Sequence, residues 1–412
     1  MVAGSYTVAG VVYGWRTASL TATNPRTAGS YNIRATATDN VGNATTSPNT
    51  PTNVVVDNTN PTGTVTAPAN GGFATASTTV TSNSADATAG VYSAAYQYSP
   101  AGAGSWTSIA TDTVTPFSVS WNTTGLTDGG SYDLRVITTD NASNTSTSAT
   151  VTVTIDRTAP NAPSTPLLAP ASDGGAQGDN RTNDDTPTMT GTAEAGSTVK
   201  LYDGVTQVGT ATATGGNWSI TASTLATGAH TMTATATDLA GNPSVSSGSV
   251  VVTIDTTQST VTGAVIANGP NIAGKVDAGD TGTITFSEQM NATTFCSIWT
   301  NSGTQTLTNV TVTILDGFDN LGVTTASCAM SLGTWLVGDY VDGNATFTNS
   351  TVSWNPATFK ITVTLGTLGT FTTLKTGVSA ALNEYTGSPP LTDLAGNAIV
   401  TTKFTAPAPS GF

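Results

Sequence analysis

The sequence predicts an all-β protein built of several sandwich domains in tandem. Three observations carry that prediction. Thr makes up about a fifth of the 412 residues and charged residues only 9%, so side chains that pack well on a pleated surface dominate and strong helix formers are scarce. Short alternating runs such as "TVKLYDG", "QVGTATA" and "NWSITAS" are separated by Gly, Asn and Pro, the pattern of short strands joined by tight turns. The phrases "NVVVDNTNPT", "VTVTIDRTAP" and "VVVTIDTTQS", around Asp57, Asp156 and Asp255, recur at roughly the 100-residue length of one sandwich.

Within each repeat two further landmarks precede that phrase. One is a strand ending in Asp and closed by Asn: "RATATDNVGN" (34–43), "RVITTDNASN" (135–144), "TATATDLAGN" (233–242) and "LTDLAGN" (391–397). Asp-x-x-Gly-Asn is a sound hairpin turn, because Asp bonds the backbone ahead and Gly supplies a positive φ. Ser143 replaces that Gly in the second copy, which weakens the turn there. The other landmark is Gly-x-Tyr at Tyr31 and Tyr132, where the penultimate strand begins. A tyrosine at this place bonds back to the preceding turn as a tyrosine corner. In the third copy its place is taken by His230, the single histidine of the chain, which is thereby read as a structural residue.

These landmarks divide the chain into a partial module over 1–57, holding only the back half of a sandwich, full modules over 58–156 and 157–255, and a longer one over 256–412. The expectation is therefore tandem immunoglobulin-like β-sandwiches in an elongated array. A half-sandwich would leave an open core and an unpaired edge, so the chain reads as a piece of a longer exported protein.

The combination of "TATDxxGN", "VTID-x-T-A-P" and "TNDDTPTMTGTAEAGSTVKLYDG…GNWSIT" resembles the tandem bacterial immunoglobulin-like repeats of large surface adhesins and biofilm-associated proteins. The likeness is closest over 157–255 and looser over 58–156. The last segment, with "DAGDTGTITFSEQM" and "LTDLAGNAI", is similar to the immunoglobulin-like modules of S-layer proteins. The resemblance implies an extracellular, bacterial cell-surface stalk that spaces a binding head. Its partner would be a cell-surface or extracellular-matrix ligand, a polysaccharide among the candidates.

Topology then suggests a metal. In a seven-strand sandwich the turn before the last strand lies at the entry pole, and the last strand ends at the opposite pole. Strung head to tail, Asp57 approaches Asp140, Asp156 approaches Asp238, and Asp255 approaches Asp393, while Asp39 faces whatever precedes. Carboxylates gathered in this way repel unless a cation joins them. Ca2+ suits the place, since it takes six to eight oxygens from carboxylates, amides, carbonyls and water. The loop "SDGGAQGDNRTNDDTP" adds Asp173, Asp179, Asp184 and Asp185 beside Asp255, which makes that junction the expected richest one. Asp277 and Asp280 form a comparable loop in the last module.

Other functions are disfavoured. The formal net charge of -14, from 25 acids against 11 Lys+Arg, opposes phosphate neutralisation and hence nucleic-acid binding. No apolar run reaches the ~20 residues of a membrane span. One His, no G-x-S-x-G elbow, no H-E-x-x-H and no Gly-rich phosphate loop leave few routes to catalysis. Glu194 lies in a different module from Glu288 and Glu384, and most Asp residues sit at turns and module ends rather than in a cleft, which disfavours a glycosidase pair. Cys296 and Cys328 are either a disulfide or two buried thiols. Trp15, Trp106 and Trp218 read as recurrent packing residues. Trp299, Trp335 and Trp354 either fill the last core or, exposed, stack on sugar rings. The alternatives are accordingly a carbohydrate-binding accessory module and a structural S-layer or phage-fibre protein.

Overall fold

A computed structural model describes the backbone of residues 3–8, 11–16, 27, 29–38, 42 and 44–412 except 318 and 372, and side chains chiefly from residue 54 onward. Asp39 and the side chains of Trp15 and Tyr31 lie outside the described residues. The chain divides into two compact units. One comprises 1–159 with the short turn 239–242, and the other comprises 160–238 with 243–412.

In the first unit the segment expected to be a partial module forms two antiparallel pairs, Ala3–Val8 with Val11–Arg16 and Gly29–Thr38 with Ala44–Val56. A two-sheet sandwich follows. Its smaller sheet joins Val65–Ala67, Ser77–Ser82 and Ser118–Asn122. Its larger sheet runs Phe73–Ala74, Val151–Ile155, Ser131–Asp140, Val91–Pro100 and Thr107–Asp112, with Thr145–Thr147 on its flank. Strict alternation makes the long strand: in SYDLRVITTD, Tyr132, Leu134, Val136, Thr138 and Asp140 are buried while the intervening residues face outward. That period-2 pattern seats Tyr96, Trp121, Leu134 and Ile155 in one core; a fully buried side chain of such size contributes about 1.5–3 kcal/mol.

The second unit holds two separate cores. Over 160–255 the plan repeats. Leu167–Leu168, Thr188–Thr192 and Asn217–Thr221 face Arg181–Thr182, Val250–Ile254, Gly228–Thr237, Thr198–Asp203 and Thr206–Thr212 around Met189, Leu201, Trp218 and Ile254. Beyond 256 the architecture changes. One continuous sheet, from Val261–Ala267 to Phe404–Thr405, wraps round until Ala267 meets Gly411 in a parallel bridge. It encloses a larger aromatic core with Phe286, Phe295, Phe347 and Tyr385. No helix among the described residues is long and apolar enough to cross a membrane.

Three details settle alternatives left open by the sequence. Cys296 and Cys328 form a disulfide. Trp299, Trp335 and Trp354 are all buried, so they offer no stacking platform. The recurrent core tryptophans are Trp121 and Trp218, each on the strand that pairs with the middle strand of its three-stranded sheet. Trp106 is no counterpart of Trp218, as it sits half-buried under the Arg135 guanidinium at 3.9 Å from the ring centroid.

The corners behave as expected. The Tyr132 hydroxyl accepts from Thr127 N at 3.2 Å. His230 makes the equivalent link with Nε2 at 2.7 Å from the Ala226 carbonyl, and places Nδ1 2.7 Å from an Asp203 carboxylate oxygen. With acceptors at both ring nitrogens, the imidazole is best satisfied as the cation. Burial pushes its pKa down, but the bonds to Asp203 and the Ala226 carbonyl together with the Asp203 charge outweigh it, and the net shift is upward.

Candidate calcium-binding joints

The repeated Asp-x-x-x-Asn phrase builds a reciprocal clasp. Asp140 Oδ1 accepts from Ala142 N and Asn144 N, both at 2.8 Å, while Oδ2 accepts from Asn144 Nδ2 at 2.7 Å. The carboxylate thus folds the turn and aims the Asn amide. From there Asn144 Nδ2 also donates to the Asp57 carbonyl at 3.1 Å. The last copy repeats this arrangement: Asn397 N and Nδ2 each lie 2.9 Å from an Asp393 carboxylate oxygen, and Nδ2 reaches the Asp255 carbonyl at 2.7 Å. In the remaining described copy Asn242, which belongs to the first unit, donates to the Asp156 carbonyl at 3.2 Å. Sequence reasoning saw the Asn but not this role. The signal was its fixed place four residues after the Asp.

The turn needs a left-handed residue before the Asn. Gly396 and Gly241 supply φ of 95° there, and Ser143 is driven to φ 73°. The turn is therefore kept in the second copy at a backbone cost of about 1–2 kcal/mol.

Two groups of three carboxylates gather beside these clasps, each with ligand oxygens within 4.8 Å of one another: Asp57, Asp86 and Asp140, and Asp255, Glu288 and Asp393. The structure thus brings Asp57 to Asp140 and Asp255 to Asp393. Asp156 and Asp238 fall in different units, and neither is part of such a group among the described residues. Asp86 and Glu288 are the third members that the sequence reading missed. Asp86 follows Ser77–Ser82 and Glu288 follows Thr281–Phe286, so their loop shares a pole with the Asp-x-x-x-Asn turn. The corresponding loop after Thr188–Thr192 carries Glu194.

The acids of the 172–185 loop do something else. The loop does reach the expected pole, where Ala176 N and Asn183 N bond the Leu394 and Ala395 carbonyls at 3.1 and 3.2 Å. A Cβ at Gly174 or Gly175 would lie only 2.2–2.3 Å from those carbonyl oxygens. Yet Asp179, Asp184 and Asp185 do not join the Asp255 group. Asp184 is held by Ser172 and Thr186, Asp179 accepts from Arg181 N, and Asp185 is exposed. Asp173 is buried and turned onto Gly178 N. Short Asp side chains in a tight loop cap their own backbone before they can reach out. Asp280 likewise is a buried staple, accepting from Gly269 N and Asp277 N at 2.6 and 2.8 Å.

Electrostatically the two groups differ. Burial raises the Asp140 carboxyl, but the bonds from Asn144, Ala142 and Ser143 prevail and hold it below the ordinary range. Asp57 and Asp86 are similarly wrapped by donors: Thr59 N and Ala89 N at 2.9 and 3.0 Å on the first, and Thr88, Ala89 and Gly90 N at 2.8–3.0 Å on the second. Glu288 accepts no comparable backbone bonds. Desolvation, then the Asp393 and Asp255 charges, push it to about 7. Asp393 is raised too, by burial first. No Lys or Arg forms an ion pair with any of these six acids among the described residues. All the candidate ligands are hard carboxylate oxygens, a donor set that fits Ca2+ and offers nothing to thiophilic metals.

Residues 159–256 match the family model of a bacterial Ig-like domain. No curated protein matches the chain. Among solved structures, the chain is similar to fibronectin(III)-like modules of Clostridium thermocellum CbhA, with 18% identity over 47% of this chain and 94% of that one, at a TM-score of 0.33. It is similar to a tetra-tandem repeat in the extending region of a large adhesion protein, with 21% identity over 98% and 87% and a TM-score of 0.22. A Ca2+-stabilized adhesin of an Antarctic bacterium that binds ice shows 17% identity over 82% and 81%, at a TM-score of 0.28.

Proposed function

We propose that this chain is a non-catalytic, extracellular stalk region of a bacterial surface adhesin, which spaces a binding head from the cell and is stiffened by Ca2+ at its joints. The observation that carries the reading is the make-up of the two acid groups. Each draws residues far apart in sequence, one ending a repeat and two from turns of the next, to within one ion's coordination reach. Asp57, Asp86 and Asp140 would hold one ion, and Asp255, Glu288 and Asp393 another. The ion would supply the charge that lets three carboxylates share a site.

The protein's own part is to hold the oxygens in place. The Asn144 and Asn397 clasps fix the approach of successive segments with or without metal. A bound ion then resists bending at a joint already aligned. Extracellular modules bind calcium at about 10⁻⁴–10⁻³ M, so such joints would fill outside a cell and empty within one.

A melting curve in calcium and then in chelator tests the reading. Ligand that binds only the folded chain raises the midpoint. An unchanged midpoint at calcium well above the millimolar range removes the metal from this account.

A further inference from the structure

The modules differ in how an early strand, the second of each sandwich, is tied to the exit strand. In 58–156, Phe73–Ala74 runs parallel to the exit strand, pairing Phe73 with Thr154 and Ala74 with Ile155. Backbone bonds of 2.8–3.0 Å from Gly71 to Thr152, Thr154 to Gly72 and Asp156 to Ala74 extend that ladder. The 157–255 module repeats it with Arg181 against Thr253 and Thr182 against Ile254. Tension at the two ends pulls such a parallel pair in opposite directions along the strands, so its bonds load together and none opens first.

Among its described residues the last module has no parallel strand pair of that length. Its first and last segments share one parallel bridge, Ala267 to Gly411, and two single backbone bonds, from Gly274 N to the Phe412 carbonyl at 2.8 Å and from Val400 N to the Ser259 carbonyl at 2.9 Å, and Phe404–Thr405 is paired over two residues only. What it has instead is covalent. Cys296 and Cys328, 32 residues apart, bracket the antiparallel hairpin Gln305–Leu315 and Asn320–Thr324. Cys296 is buried and Cys328 packs on the same core.

We propose that the 256–412 module is the extensible element of the stalk and that the Cys296–Cys328 bond is its extension stop. When the end strands are drawn out, tension passes through the disulfide and bypasses the bracketed hairpin. That hairpin stays folded as a template on which Ala345–Asn355, its neighbour in the sheet, re-pairs when the load falls. The stalk reading supplies the load; the stop itself stands on the strand pairing.

Single-molecule pulling of the full chain between its ends tests this. The first event to yield should be the last module. Added dithiothreitol should leave the relaxed chain unchanged but produce, after that event, a second step of roughly 110 Å, the extended length of the residues between the cysteines. Cys328→Ser should merge both steps into one longer event; if that variant does not fold, the dithiothreitol arm still decides. A first event without a reductant-sensitive step, or equal lengths with and without reductant, overturns the proposal. A calcium-independent melting curve would sink the joint reading and leave this measurement untouched.

Discussion

The joint at Asp57 and the joint at Asp255 share a clasp but differ in their third acid. Both use an Asp-bound Asn to grip the carbonyl that ends the preceding strand. Asp86 sits in a turn whose own amides at 88–90 bind its carboxylate, whereas Glu288 has a longer side chain held among two other carboxylates without such donors. At the first joint the Asp140 carboxyl is held below the ordinary range by its hydrogen bonds. The second must give up a proton near pH 7 before it can take a cation. A repeated motif fixes the grip, and the neighbouring loop sets the electrostatics.

Removing one group at a time separates the joints most strongly. Saturating calcium at a hundred times its dissociation constant stabilises by about 2.7 kcal/mol per site. Asp86→Asn should abolish the calcium-induced rise in the melting of the first unit alone, and Glu288→Gln that of the second alone. Scanning calorimetry of each variant, with and without chelator, reads both. A response lost from both units together would mean that the joints are not independent sites.

Next in size are the clasps. Asn144→Ala or Asn397→Ala leaves a carbonyl and a buried carboxylate short of a donor, which costs about 1–3 kcal/mol. The loss should be larger at Asn397, which is buried, than at half-buried Asn144. Chemical denaturation in chelator measures the difference, and equal losses would erase this part of the contrast. Ser143→Gly should act in the opposite direction, stabilising the first unit by about 1 kcal/mol through relief of its left-handed backbone.

The pH dependence should have opposite signs at the two joints. Without metal, Glu288 shifts from 4.5 unfolded to about 7 folded. Between those values the folded chain holds a proton that the unfolded chain releases, so stability falls as pH rises through the window and is flat above it. Asp140 is held low, so its contribution is present above the ordinary carboxylate value and is lost as pH falls through its folded one. Denaturation against pH should show the first slope in the second unit, and Glu288→Gln should lessen it, leaving the share of Asp393, Asp280 and Asp319, which burial also raises.

The smallest effect compares the corners. His230 is lowered by burial but raised on balance by Asp203 and the Ala226 carbonyl, so its stabilisation is complete below the ordinary histidine value and fades as pH rises through the folded one. His230→Tyr should flatten the residual slope of the 157–255 module, and an unaltered slope would assign it to another group.

Much of the fold was legible because it is local. Alternation in SYDLRVITTD, the turn residues after Asp140, Asp238 and Asp393, and the spacing of the repeats each express the period-2 geometry of a strand or the φ demanded by a turn. The Asp57–Asp140 and Asp255–Asp393 approaches were legible too, since a seven-strand topology dictates which loops share a pole. The 172–185 acids misled because sequence shows how many carboxylates a loop has, not whether its own amides already occupy them. Asp86 and Glu288 escaped notice for the converse reason: a lone acid after an inner strand carries no local signature.

The sequence by itself determined the strands, the turns, the repeat length and the acidic, cation-compatible character, because backbone preference and side-chain alternation act over a few residues. Only the tertiary structure decided that the cysteines pair, that the last module wraps one sheet around an aromatic core, and which three acids share each joint. Those outcomes depend on distances between segments tens to more than a hundred residues apart, and packing alone brings such segments together.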